Sequence, residues 1–112
     1  MTATIACPEL SVEEAAELIA DGHAVVIDVS PRRRWASGHI PGALNLVPAE
    51  FTAGDIPGDE DTTLLFYSSD MGASACQYAA QRAVKLGFRH VFTMKGGLRD
   101  WMAAGHRAMA GA

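Results

Sequence analysis

The segment 68–74 has the residue types best suited to chemistry. It reads Ser-Ser-Asp-Met-Gly-Ala-Ser, follows an apolar run that ends at Tyr67 and leads into a helical pattern. Small residues and Gly72 let such a loop curl, so that successive N–H groups point inward beside the partial positive charge of a helix N-terminus. This loop would suit an anion or a nucleophile that must become anionic. The plainer interpretation is a βα turn with Ser74 as helix cap, and the loop alone favours it.

The two cysteines are the other candidates for chemistry, and both are interpreted as structural. They are too few for a disulfide scaffold or a four-cysteine zinc site, and we expect no metal and no cofactor. Cys7 lies before Pro8, far along the sequence from the loop. Cys76 belongs to a stripe of small residues at helical spacing, which predicts a buried thiol. The other members of the stripe are Ala79, Ala80, Ala83, Val84 and Gly87.

Helical and strand patterns alternate along the chain and would position this loop. Ser11 and Glu14 form a capping box that opens a helix to about Ala20, and Asp21-Gly22 ends it. The apolar runs 24–29 and 63–67 are typical of strands buried on both faces, as in a parallel sheet. Further patterns predict a strand at 43–46, a loop at 51–61, a helix at 74–86, a strand at 90–93 and a helix at 98–104. The order predicts an α/β fold with a mainly parallel sheet and right-handed crossovers.

Composition limits the class of protein. The 112 residues, 49% of them apolar and 20% charged, predict one globular domain over 1–112. Nine Lys and Arg against thirteen Asp and Glu give a net charge of −4, which argues against binding to nucleic acid or to an anionic membrane. No run is long enough to span a membrane, and residues 1–14 do not resemble a secretory signal. A cytoplasmic location is therefore expected.

Gly38-His39-Ile40-Pro41-Gly42-Ala43, with Ile27-Asp28-Val29 ten residues before it, resembles the rhodanese-like (sulfurtransferase) family. Trp35 matches the family's aromatic residue, and Gly96-Gly97 with Trp101 resembles its closing motif. Further matches are Ala79-Ala80 and Leu86-Gly87-Phe88, so that the resemblance covers about residues 9–106. It implies a five-stranded, mainly parallel sheet flanked by helices.

Most of the matching residues are interpreted as structural. His39 is expected to be a hydrogen-bonded scaffold residue rather than a base. Asp28, at the carboxyl end of a strand, is expected to tie a loop in place. Leu98 and Trp101 are expected to form the apolar face of the last helix.

The departures from the family concern the loop. The resemblance implies a cysteine directly after the strand, which carries a persulfide between a sulfur donor and an acceptor. The corresponding residue here is Ser68, and no persulfide forms on oxygen. The residues expected to bind substrate are those of the rest of the loop, namely Ser69, Asp70, Met71, Gly72, Ala73 and Ser74. The loop carries the acidic Asp70 and no basic residue, which is unusual for binding thiosulfate or phosphate.

The basic run Arg32-Arg33-Arg34 is interpreted as a solvated turn. Arg34 stands where the family has Glu, and Ser30 where it has Arg, so that a family ion pair is altered at both positions. The alternative is a docking patch for an acidic protein partner.

Three hypotheses for function remain. The first is a sulfurtransferase whose nucleophile has been changed by engineering from Cys to Ser, with a small sulfur compound or a protein persulfide as its partner. The second is a naturally non-catalytic module that binds a partner or an anion. The third is a phosphatase relative, which is weak because no Arg follows Ser68 before Arg82.

Overall fold

The computed structural model describes residues 7–69 and 73–111 and contains one parallel sheet of five strands. Along the sheet the strand order is β1-β5-β4-β2-β3. The strands are β1 (Glu9–Leu10), β2 (Ala24–Asp28), β3 (Leu44–Asn45), β4 (Thr63–Tyr67) and β5 (His90–Met94). The helices are α1 (Val12–Ala20), α2 (Arg32–Ser37), α3 (Ala73–Lys85) and α4 (Gly97–Ala103), with a 3₁₀ turn at Ala53–Asp55. The predicted α/β fold is confirmed.

The central strand β4 is apolar throughout because it is covered on both faces. Leu64 and Phe66 pack with the cluster under α3, whereas Leu65 and Tyr67 pack with the cluster under α1 and α4. Successive side chains of a strand point to opposite faces, so a strand buried on both sides needs an unbroken apolar run.

The strand register brings the loops that follow β2, β4 and β5 to one edge of the sheet. Asp28 at the end of β2 is paired with Tyr67 at the end of β4, and Phe66 is paired with Thr93 of β5. In open α/β sheets this carboxyl edge is where ligands bind. The end of β4 is therefore flanked on both sides by the ends of neighbouring strands.

Helix α1 has the predicted capping box. The backbone N–H of Glu14 donates to Ser11 Oγ at 3.1 Å, and the backbone N–H of Ser11 donates to Glu14 Oε1 at 2.9 Å. The helix ends before Gly22, whose φ of 75° is in the left-handed region that favours glycine. None of the described helices is long and apolar enough to cross a membrane.

Three expectations about local structure are wrong. The basic run 32–34 lies in helix α2 and is not a turn, because Pro31 has the φ of a helix start and the chain continues helical to Ser37. Val84 is 51% exposed, since each helical residue is turned by about 100° and Val84 follows the buried Ala83. Helix α3 begins at Ala73, which places Ser74 within its first turn and not at the cap.

Candidate functional site

Ser68 is the first residue after β4 and lies at the carboxyl edge of the sheet. It is 5% exposed, and its carbonyl oxygen accepts a hydrogen bond from the Leu98 N–H at 2.9 Å. This bond joins the end of β4 to the first turn of α4. Ser68 also lines a partly open cavity of about 230 Å³, so a group at this position meets a recess beside the sheet.

The other walls of this cavity come from three separate segments, and sequence reasoning missed most of them. Helix α3 contributes Cys76 and Gln77, while β5 and the following turn contribute residues 93–97, with Asp100 and Glu9 completing the lining. The sequence signal that could have identified residues 93–97 was the predicted strand at 90–93, because neighbouring parallel strands end at the same edge of the sheet. The cavity therefore carries a basic residue, Lys95, that does not belong to the 68–74 loop.

The rest of the predicted loop divides between different surroundings. Ser69 donates its backbone N–H to Ser30 Oγ and lines an open groove, not the Ser68 cavity. Its own hydroxyl oxygen is buried and has no hydrogen-bond partner among the residues that the structure describes. Asp70, Met71 and Gly72 lie outside the described residues. Helix α3 begins at Ala73, and Ser74 is exposed.

Asp28 and Tyr67 fix the backbone around the site. Asp28 is fully buried, and its Oδ1 accepts from the Ser30 N–H at 2.7 Å, which confirms the predicted loop-tying role. The Tyr67 hydroxyl accepts from the Ile40 N–H at 2.9 Å. Burial, and then the nearby Asp28 carboxylate, raise the pKa of Tyr67 well above its usual range, so the phenol stays protonated at any physiological pH.

His39 is a scaffold residue, as predicted. Its ring lies against Trp35 with the centroids 4.3 Å apart, and its Nδ1 is 2.6 Å from the Trp35 carbonyl oxygen. The ring is buried, and its backbone pairs with Met109 in an antiparallel bridge. His39 therefore holds α2 to the C-terminal segment.

Gly96 lies in the turn that lines the Ser68 cavity. Its φ is 79°, and a Cβ at this position would lie 1.9 Å from Asp100 Oδ2. Only glycine fits such a backbone without strain. The turn between β5 and α4 can therefore bring Asp100 close to the backbone that lines the cavity.

Both cysteines are buried, and neither forms a disulfide. Cys7 lies beside α3: its N–H donates to Gln77 Oε1 at 3.1 Å, and its carbonyl accepts from Gln77 Nε2 at 3.3 Å. Burial raises the pKa of the Cys7 thiol. Cys7 therefore contacts Gln77, a residue that lines the Ser68 cavity. The sequence did not predict this contact because Cys7 is far from the loop along the chain.

Cys76 should react slowly with Ellman's reagent in the folded protein, because it is 5% exposed and packed among the alanines of α3. In a Cys7→Ser variant, where Cys76 is the remaining thiol, we expect the native rate to be at least about tenfold below the unfolded rate, since reaction requires local opening. Equal rates would show that the thiol is accessible from the cavity, and Cys76 would again be a candidate nucleophile.

Arg82 lies away from the candidate site. Its Nε donates to the Phe51 carbonyl at 2.9 Å, and its guanidinium lies 5.4 Å from the centroid of the Phe51 ring. It lines neither the Ser68 cavity nor the groove at Ser69. The first arginine after Ser68 is thus committed to packing α3, which leaves the phosphatase hypothesis without a phosphate-binding arginine from that helix.

Comparison with known proteins defines the family to which this chain belongs. The sequence profile of the Rhodanese-like domain matches residues 11–104. The chain belongs to the rhodanese-like family, as the sequence motifs predicted.

Individual relatives include proteins named for sulfur transfer. The human thiosulfate:glutathione sulfurtransferase is 35% identical over 109 residues, covering 85% of this chain and 93% of that protein. Another relative, the uncharacterized protein YibN of Escherichia coli (strain K12), is 35% identical over 91 residues, covering 79% of this chain, and the chain spans only 62% of the length of YibN. The crystal structure of thiosulfate sulfurtransferase from Pseudomonas aeruginosa superposes with a TM-score of 0.82 at 18% identity, over 99% of this chain and 21% of that one. The last comparison bears on the fold alone.

Proposed function

We propose that this domain has the sulfane-sulfur site of a sulfurtransferase, with Ser68 at the position of the nucleophile. The observation that carries the proposal is the placement of Ser68: directly after β4, buried, and lining a cavity at the edge where α/β proteins bind ligands. The relatives named as sulfurtransferases support the class of reaction.

The reaction of this class needs sulfur at that position. A thiolate attacks the outer sulfur of a donor such as thiosulfate, an S–S bond forms, and sulfite leaves with the electron pair of the broken bond. A thiol or cyanide acceptor then attacks the outer sulfur of the persulfide and releases the thiolate. A serine hydroxyl cannot enter the cycle because its oxygen carries no sulfane sulfur and no adjacent base activates it among the described residues of the loop.

We propose that residues 70–74 of the loop bind the donor through backbone N–H groups, since the N–H of Ser69 already donates to Ser30 Oγ. Asp70 is acidic and the loop has no Lys or Arg, so the two negative charges of thiosulfate are repelled by a carboxylate and meet no positive charge in the loop. A protein persulfide, whose outer sulfur carries at most one negative charge against the two of thiosulfate, suits this loop better. A cytoplasmic location remains a prediction.

The chain as written should show no cyanide-dependent transfer of sulfur from thiosulfate above the uncatalysed rate. The measurement is thiocyanate formation with the parent chain and with a Cys76→Ala variant, which removes the cavity's other candidate nucleophile. Turnover by the parent that survives Cys76→Ala would contradict the assignment of Ser68. If Cys76→Ala abolished the turnover, the nucleophile would instead be Cys76 of α3.

A non-catalytic binding module is the second candidate, and the arginine pair on α2 favours it. Arg33 and Arg34 line a surface groove that begins beside the loop at Ser69. A domain without a thiol at position 68 could still use that groove to hold a partner.

A further inference from the structure

The peptide bond between Ser68 and Ser69 is hydrogen-bonded at both of its polar atoms. The Ser68 carbonyl oxygen accepts from the Leu98 N–H at 2.9 Å, in the first turn of α4. The Ser69 N–H donates to Ser30 Oγ, in the segment that follows β2. Helix α4 follows β5, and β5 and β2 lie on opposite sides of β4 in the sheet. The first peptide after β4 is therefore held from both sides.

A peptide held in this way has a fixed orientation. The peptide unit is planar, so that bonds to its oxygen and to its N–H together fix the direction of the plane. This plane sets ψ of residue 68 and φ of residue 69, and hence the directions in which the two side chains leave the backbone. The structure has the two residues in different surroundings, since Ser68 lines the cavity and Ser69 lines the open groove.

Ser30 is itself held in place by neighbouring groups. Its N–H donates to Asp28 Oδ1 at 2.7 Å, and its carbonyl oxygen accepts from Asn45 Nδ2 at 2.8 Å. Asn45 Nδ2 also donates to the Asp28 carbonyl oxygen at 3.1 Å, which joins this turn to β3. Ser30 is 6% exposed, so water has little access to its hydroxyl. The segment after β2 therefore presents a fixed acceptor to the loop after β4.

The residue type at position 30 matters because the bond needs an acceptor. A serine or threonine hydroxyl accepts from a backbone N–H, whereas an alanine side chain has no polar atom and an arginine side chain has only donors. The rhodanese-like motif has Arg where this chain has Ser30, so the motif itself does not provide this bond. Loss of the hydroxyl would leave the Ser69 N–H without its acceptor, which favours a turn of the peptide toward another partner.

We propose that Ser30 is a positioning residue for the candidate site. Through the Ser69 N–H it fixes the 68–69 peptide, and this orientation directs residue 68 to the cavity and residue 69 to the groove. The consequence for chemistry rests on the proposed function: a thiolate at position 68 is held in one place relative to the N-terminus of α3, instead of averaging over several orientations. Ser30 acts through the backbone and not on a reacting atom.

The first test uses the parent chain and needs no sulfur chemistry. NMR should show slow hydrogen exchange at the Ser69 amide and a single χ1 rotamer at Ser68. Ser30→Ala should speed exchange at that amide at least about tenfold and give averaged χ1 couplings at Ser68, because the peptide is then held at one end only. Ser30→Thr keeps the acceptor and should keep the exchange rate within about twofold of the parent value.

The matched control is Thr62→Ala. Thr62 Oγ1 accepts the backbone N–H of Asp59 at 2.9 Å, so the variant removes a bond of the same kind. Thr62 directly precedes β4 and lies at the opposite edge of the sheet from Ser68. This variant should leave the Ser69 amide and the Ser68 couplings unchanged. Chemical denaturation of each variant measures its loss of stability, which separates a general loosening of the fold from a loss of position at residue 68.

The second test measures a chemical effect at position 68. In the Ser68→Cys variant, the pKa of the new thiol is obtained from the pH dependence of its alkylation by iodoacetamide, with mass spectrometry to distinguish it from Cys7 and Cys76. Adding Ser30→Ala should raise this pKa toward the ~8.5 of an ordinary cysteine, which lowers the alkylation rate at neutral pH by about threefold. Adding Thr62→Ala instead should leave the pKa unchanged.

Three results would overturn the proposal. They are rapid exchange of the Ser69 amide in the parent chain, equal effects of Ser30→Ala and Thr62→Ala on the Ser68 couplings, and a depressed thiol pKa in Ser68→Cys that Ser30→Ala lowers further or leaves unchanged. The proposed function fails in a different way, because Ser68→Cys would then have an ordinary pKa and accept no sulfur. In that case the exchange and coupling measurements still decide the role of Ser30.

Discussion

Ser68→Cys should convert a chain without sulfurtransferase activity into one that takes up a sulfane sulfur. The introduced thiol would lie at the end of β4, in the 230 Å³ cavity. It would precede by a short loop the first turn of α3, whose partial positive charge favours a thiolate. Loss of a catalytic nucleophile costs on the order of a million-fold in kcat in a well-measured hydrolase, so its restoration should produce a large change.

The measurements are mass spectrometry, which should show one added sulfur after exposure to a donor, and a pH titration of the thiol. The pKa should fall below the ~8.5 of an ordinary cysteine, but only modestly, since Asp70 opposes the thiolate and no Lys or Arg in the loop assists it. Thiosulfate should be a poor donor. Adding Asp70→Arg to the Ser68→Cys variant should then lower the KM for thiosulfate.

Ser74→Cys is the matched control, because it adds a thiol to the same segment at an exposed position in the first turn of α3. We expect that variant to show no catalysed transfer. If Ser68→Cys has an ordinary pKa and accepts sulfur from no donor, then the loop does not support a persulfide. The non-catalytic module would in that case be the function that remains.

Trp101→Ala should destabilise the protein by about 3–5 kcal/mol, the cost of removing a large buried aromatic side chain. Trp101 is 6% exposed within the cluster under α1 and α4. Its Nε1 donates to the Arg107 carbonyl at 2.8 Å, and its ring stacks on His106 with centroids 4.4 Å apart. The side chain thus joins α4 to the C-terminal segment, which lines the open groove at Ser69.

Chemical denaturation measures the loss of stability, and hydrogen exchange locates it. The Met109 N–H, bonded to His39 in the folded chain, should lose protection in Trp101→Ala before the amides of β4 do. Trp101→Phe keeps an aromatic ring in the cluster but loses the indole donor and part of the ring volume, so it should lose less stability than Trp101→Ala. A loss below about 1 kcal/mol in Trp101→Ala, or an unchanged Met109 amide, would show that the segment is held by other contacts.

The sequence by itself determined the fold and the identity of the residue after β4. Continuous apolar runs, a capping box and the motif around His39 are local signals, because they depend on residues within a few positions of one another. They were sufficient to predict the parallel sheet, the helix starting at Val12 and Ser68 as the residue at the strand end. The hydrogen-bonding roles of Asp28 and His39 were also predicted correctly.

Only the tertiary structure decided which segments surround that residue. The Ser68 cavity is lined by the end of β4, by Gln77 and by the turn after β5, and the open groove at Ser69 is lined by α2 and Met109. Even two consecutive residues face different spaces, since Ser68 lines the cavity and Ser69 lines the groove. Hydrophobic periodicity states which face of an element is buried, but the partner of that face is set by packing between segments tens of residues apart. For this reason the sequence alone could not predict which residues line the cavity and which line the groove.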